Sequence, residues 1–157
     1  MKAVLISIHP EWCDLIARGE KTMEVRRSRP KLETPFKCYI YRTKGTVNHI
    51  ANGKWFKMQV GGTVIGEFIC DSFVIDKTFG HDPLFNGAAC MKEMECAVYS
   101  CRSPLYGWHI SDLKIYEKPK KLSDFTGIKT MRDGFELRVL ERPPQSWCYV
   151  VEVNCNG

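Results

Sequence analysis

The apolar positions of this chain fall into short, strand-sized runs separated by glycines, prolines and charges. Lys2–Ile8 is a β-rich run that His9-Pro10 breaks. Pro10 suits the first turn of a helix, where its missing N–H costs nothing. Trp12, Leu15 and Ile16 then recur at helical spacing, Glu11, Asp14 and Arg18 take the other faces, and Gly19 supplies a C-terminal stop. Lys21–Arg27 reads as extended, with Met23 and Val25 on one face and Thr22, Glu24 and Arg26 on the other. Phe36–Arg42 is a second clear strand. Residues 43–61, with two asparagines, two glycines and an apolar Trp55-Phe56 in the stretch up to Val60, read as a loop excursion. Thr63–Ile75 is a long strand expected to bend at Gly66. Residues 77–89 read as loop, Cys90–Val98 as a short helix and Trp108–Tyr116 as a strand. Residues 122–141 read as irregular, and Arg142-Pro143-Pro144 as a rigid entry to a last strand, Ser146–Val153. The pattern predicts a mainly β chain with short helices, of α+β composition. Such a chain is expected to curl into a small barrel, because closure removes exposed sheet edges. The early helix should flank or plug one end.

Length and composition narrow this further. The 157 residues fit one domain spanning 1–157, and 44% hydrophobic residues suffice for a core. No apolar run approaches the ~20 residues of a membrane span, and the run after Met1-Lys2 is too short for an export signal. A cytoplasmic location without membrane attachment is therefore expected. The net charge of +5 says little by itself, but its distribution is uneven. Arg18, Lys21, Arg26, Arg27, Arg29 and Lys31 stand against only Glu20 and Glu24, and Lys118, Lys120 and Lys121 form a second basic group. The eight cysteines include no CxxC pair, so they are read as reduced thiols, with no disulfide, metal site or cofactor expected.

The segment from Ile8 to Arg26 ends in Gly19-Glu20-Lys21-Thr22-Met23-Glu24-Val25-Arg26. It resembles the opening of ASCH domains, whose signature is Gly-x-Lys-x-x-Glu-x-Arg just after a helix. Gly19, Lys21, Glu24 and Arg26 occupy those positions, and Gly107–Phe125 and Arg142–Tyr149 are also similar to members of the family. The resemblance implies a PUA-like β-barrel with the motif facing a cleft, and RNA as the usual partner. Some small ASCH proteins hydrolyse N4-acetylcytidine and others are assigned ribonuclease activity, so the family fixes fold better than function.

Read as chemistry, the motif offers three capacities. Arg26 can grip a phosphate or carboxylate, Lys21 supplies a mobile charge, and Glu24 can accept from the amino or imino edge of a base. Lys21 has the parity of the core face, so it joins the site only if the chain still turns at Glu20–Thr22. Otherwise the three residues amount to a surface ion pair of little consequence. Trp147, at a strand entrance, is a candidate stacking face. Glu67, in step with Ile65 and Ile69, either faces inward toward a motif cation or sits in solvent at the bend. The main expectation is a module that binds RNA or a nucleotide derivative in a basic cleft. The amidohydrolase alternative would use Lys21 as base, but the position of the family's nucleophilic threonine holds Glu24. Thr22 is then the only motif hydroxyl, and Glu93 or Glu95 the only loose match for the later carboxylate. A ribonuclease could use His9, Lys21 and Glu24.

Overall fold

The computed structural model describes residues 1–153. In chain order the elements are β1 (Lys2–Ile8), α1 (Pro10–Ala17), β2 (Met23–Arg26), β3 (Phe36–Arg42), β4 (Gly45–Ala51), β5 (Lys54–Val60) and β6 (Thr63–Asp76). They continue with α2 (Pro83–Ala89), α3 (Glu93–Ser100), β7 (Leu105–Lys120), β8 (Thr126–Met131), β9 (Gly134–Val139) and β10 (Trp147–Val151). Eight strands form one sheet in the order β2-β7-β6-β3-β1-β10-β8-β9, and β4 and β5 pair only with each other. All neighbours are antiparallel except β1 and β3. The parallel pair requires a crossover, which α1 and β2 provide.

Three apolar layers follow from strand parity. Val4, Ile6 and Ile8 of β1, with Cys38, Ile40, Phe68 and Trp108, fill the inside of the curled sheet, and Cys13 and Ile16 of α1 cap that core. Ala3, Leu5, Tyr39, Val64 and Phe125 form a second cluster that includes the other parity of β1. Met23, Val25 and Leu105 on β2 and β7 are covered by Phe85, Ala89 and Cys96 from α2 and α3. The predicted bend in β6 is real. At Gly66 a Cβ would come within 2.5 Å of the Lys114 carbonyl oxygen, and the pairing with β7 slips between Val64 and Gly66. The side-chain-free position lets the two long strands approach where the sheet turns.

Several expectations need correcting. The sheet does not close by a backbone ladder. Its edge β2 comes back toward β10, and side chains span the seam. Arg26 donates to Ser146 Oγ (3.3 Å), Trp147 Nε1 to Ser28 Oγ (3.1 Å) and the Lys31 amide to Tyr149 Oη (2.8 Å). Residues 43–61 are a β-hairpin, not a loop, turned by Asn52-Gly53 with φ of 51° and 71°. That dipeptide matches the twist of two-residue hairpin turns and outweighs the surrounding polarity. Residues 122–141 likewise contain a 3-10 turn at Leu122–Asp124 and the β8–β9 hairpin. Within 77–89, Asp82 and Pro83 start α2, the Asp82 carboxylate accepting from the Leu84 and Phe85 amides. The helix expected at Cys90–Val98 lies at Glu93–Ser100. The seven described cysteines are free, and Cys155 lies outside the described residues. No helix among the described residues is long and apolar enough to cross a membrane.

Candidate functional site

The motif leaves α1 through a tight turn. Gly19 has φ +76°, a left-handed conformation that a side chain would strain, and the Glu20 and Lys21 amides both donate back to the Leu15 carbonyl (3.0 and 3.1 Å). The chain is thus still turning at Lys21, and β2 begins only at Met23. Lys21 escapes the parity that would send it to the layer of Met23 and Val25. Instead it is brought beside Glu24, whose strand neighbour is Trp108, and Arg26.

The three side chains form a nearly buried triad. Glu24 lies between the cations, with Oε1 2.9 Å from Arg26 Nη2 and Oε2 3.7 Å from Lys21 Nζ, an ion pair too long for a hydrogen bond. Lys21 Nζ donates to the Ala89 carbonyl at 2.5 Å and stands 4.8 Å from the Trp12 ring centre. Arg26 Nη2 also donates to the Ser7 carbonyl at 2.6 Å. Burial pushes the Lys21 amine below its ordinary value, and the Glu24 carboxylate offsets only part of that. Two atoms of the triad are buried without a hydrogen-bond partner, Glu24 Oε2 and Arg26 Nε. Such atoms are rare in folded proteins because an unpaired buried polar group forfeits its hydration.

The triad forms part of the wall of a cavity of about 430 Å³ at the seam. That is within the range of small-ligand sites. His9, Trp12, Tyr99, Gln145 and Ser146 complete much of the wall. Trp12 therefore serves both core and cavity. Tyr99, from α3, carries no motif signal, and Gln145, from the loop before β10, lies within the Arg142–Tyr149 segment but is not singled out there. Arg26 is not free to clamp a ligand as the motif alone suggests. Its Nη groups are engaged by Ser7, Ser146 and Glu24, so it fixes Glu24 in place and ties the seam together.

The remaining candidates lie elsewhere. Thr22 is exposed and does not line the cavity, and its backbone is held by Ala88 and Ile110. Glu67 meets no motif cation and is not out in solvent at the bend. It is partly buried, 3.5 Å from Lys37 Nζ, and accepts from the Tyr116 hydroxyl. Trp147 packs edge-on against Trp108 and Tyr149, with ring centres 6.0 and 5.4 Å away, and stays out of the cavity wall. Glu93 pairs with His81, and Glu95 accepts from the Lys92 amide at the start of α3. Neither lines the cavity. No group of three or more metal-ligating side chains occurs among the described residues.

No protein of curated function matches the chain. Among solved structures it is similar to ASCH from Zymomonas mobilis, at 20% identity over 96% of this chain and 88% of that one, with a TM-score of 0.67. A tyrosine-to-phenylalanine variant of that protein gives 20% identity, 97% and 92% coverage and a TM-score of 0.66. A serine-to-alanine variant gives 19%, 96% and 89%, and 0.66. At this identity the likeness is one of fold. The family model of the ASCH domain matches residues 6–75, which include the end of β1, all of α1, the whole motif and most of β6. Residues 6–75 thus match the ASCH domain model, and the fold of the chain is similar to that of a solved ASCH protein.

Proposed function

We propose that the seam cavity binds a nucleobase, presented by single-stranded RNA or by a nucleoside derivative. One observation carries this reading. Glu24 holds an ionisable carboxyl in the cavity wall, fixed by Arg26 on one side, with its other oxygen buried, 3.7 Å from Lys21 Nζ and without a hydrogen bond. An acceptor so placed suits the amino or imino edge of a base, as carboxylates suit cytosine N4. Two cations around one carboxylate leave the wall net positive, which favours ligands with carbonyl or phosphate oxygens. The cavity volume suits a single base with its sugar better than a duplex, and the general link of ASCH domains to RNA supports the choice of partner. Fluorescence anisotropy with a labelled single-stranded RNA of about twelve nucleotides tests it. Binding should weaken with salt, and Arg26→Ala should lower it sharply by freeing Glu24. Wild-type affinity in a folded Arg26→Ala protein would place the ligand elsewhere.

A second reading has an observation of its own. His9, Lys21 and Glu24 line the same cavity, and the Lys21 amine is shifted toward the neutral form that a general base requires. These groups could cleave RNA by acid–base chemistry. The amidohydrolase reading has less support, because exposed Thr22 leaves the triad without a motif hydroxyl beside it. Incubating RNA and N4-acetylcytidine with wild type and Lys21→Met separates the three cases. Intact substrates throughout favour binding alone, and product lost in Lys21→Met identifies the reaction.

A further inference from the structure

The β4–β5 hairpin leaves the sheet beside the cavity. Thr43, at its root, lines the cavity wall, and Gly45 lies against Pro10, whose Cγ is 3.3 Å from where a Cβ would stand. Each strand then runs seven residues, roughly 23 Å at 3.3 Å per residue. Thr46–Ile50 and Lys54–Gln59 are exposed along their whole length, and the main contacts of the hairpin are between its own strands. Register divides the side chains between two faces. Ile50 faces Trp55 and Asn48 faces Lys57 on one, and His49 faces Phe56 on the other. Trp55, 71% exposed, is the most exposed aromatic side chain among the described residues. Its position two residues from Lys57 puts ring and ammonium on one face.

The charge of the hairpin says what would cover it. From Lys44 to Val60 there are three lysines and no acidic residue. A surface meant for another protein's apolar face does not need unopposed positive charge. A polyanion with flat groups fits both features, since bases stack on aromatic rings and phosphates meet lysines. We propose that the hairpin is a strand-binding arm. Nucleotides flanking the one held in the cavity run along it, with a base stacked on Trp55 and a phosphate paired with Lys57 on the same face. This rests on the cavity reading above and makes the partner single-stranded RNA, not a free nucleoside.

Two ligands separate arm from cavity in the full chain: a labelled single-stranded RNA of about twelve nucleotides, read by anisotropy, and cytidine, read by calorimetry. Trp55→Ala should weaken RNA binding about tenfold. Replacement of Lys57 by Ala should reduce the slope of log affinity against log salt by about 0.7, the value for one phosphate. Cytidine affinity and melting temperature should stay at wild-type values in both, whereas Arg26→Ala should lose both ligands. RNA affinity untouched by every hairpin change overturns the arm and leaves the cavity reading standing. Cytidine binding without any RNA binding does the same. Failure of both ligands to bind wild type removes the cavity reading and the arm with it. Self-association that Trp55→Ala abolishes, with RNA affinity unchanged, would make the hairpin a protein contact and overturn the proposal.

Discussion

Two clusters of charge occupy opposite faces of the curled sheet, and their designs are inverted. At the seam, two cations share one carboxylate, all three nearly buried, with Glu24 Oε2 lacking a hydrogen bond. On the other face, one cation shares two carboxylates. Lys37 stands 3.5 Å from both Glu67 and Glu152, and Tyr116 donates to Glu67. The Lys37 cluster is satisfied within the protein and supports the layer of Tyr39. The Lys21–Glu24–Arg26 cluster is short of partners and lines a cavity. Partners left unmade, more than the number of charges, distinguish a binding site from a structural ion pair.

The largest expected contrast is in stability. Glu24→Ala leaves two cations buried together and should cost about 3–5 kcal/mol in denaturant unfolding. Glu67→Ala leaves Lys37 with Glu152 and should cost about 1–2 kcal/mol. Equal losses would erase the distinction between the clusters. In ligand binding, Arg26→Ala should weaken the complex by about 1.5–3 kcal/mol, and Lys37→Ala should have no effect in protein that still melts cooperatively.

The two lysines should also respond oppositely to alkaline pH. The Lys21 pKa is lowered by burial, so the unfolded chain binds its proton more tightly and this residue's contribution to stability rises as pH climbs toward 10.5. The Lys37 pKa is raised. Partial burial pulls it down, but Glu67, Tyr39 and Glu152 outweigh that, so its contribution is present below 10.5 and is lost as pH rises through its folded value. Unfolding free energies across this range for Lys21→Met and Lys37→Met, each compared with wild type, read the two signs separately. The same sign for both would contradict the assignment. The smallest effect belongs to Trp147→Phe, which keeps an aromatic ring against Trp108 and Tyr149 but loses the bond to Ser28, about 1 kcal/mol of stability, and leaves ligand affinity unchanged.

Local signals in the sequence located β1, α1, β3 and the bend at Gly66, because each has its own periodicity or breaker. The hairpins at 43–61 and 122–141 were hidden by polar, exposed strands that lack the one-sided apolar pattern of a buried sheet. The site was partly legible. The condition for Lys21 to join it, a turn persisting past Gly19, could be stated from parity, and the backbone bonds to Leu15 meet it. The partner of Glu67 could not be read, because Lys37 and Tyr116 reach it through strand order, which no local pattern encodes. The place of Trp147, outside the cavity wall, is set in the same way. Its neighbour across the seam, Ser28, follows from how the sheet curls.

The central claim is that Glu24 receives the hydrogen-bonding edge of a base. Glu24→Gln tests it most directly, because the amide keeps the shape and a carbonyl oxygen for Arg26 while placing donors where an acceptor is needed. Calorimetry with cytidine should show affinity falling by about 1–3 kcal/mol while the protein remains folded. Unchanged affinity in folded Glu24→Gln protein would contradict the claim and reduce the triad to a structural tie across the seam.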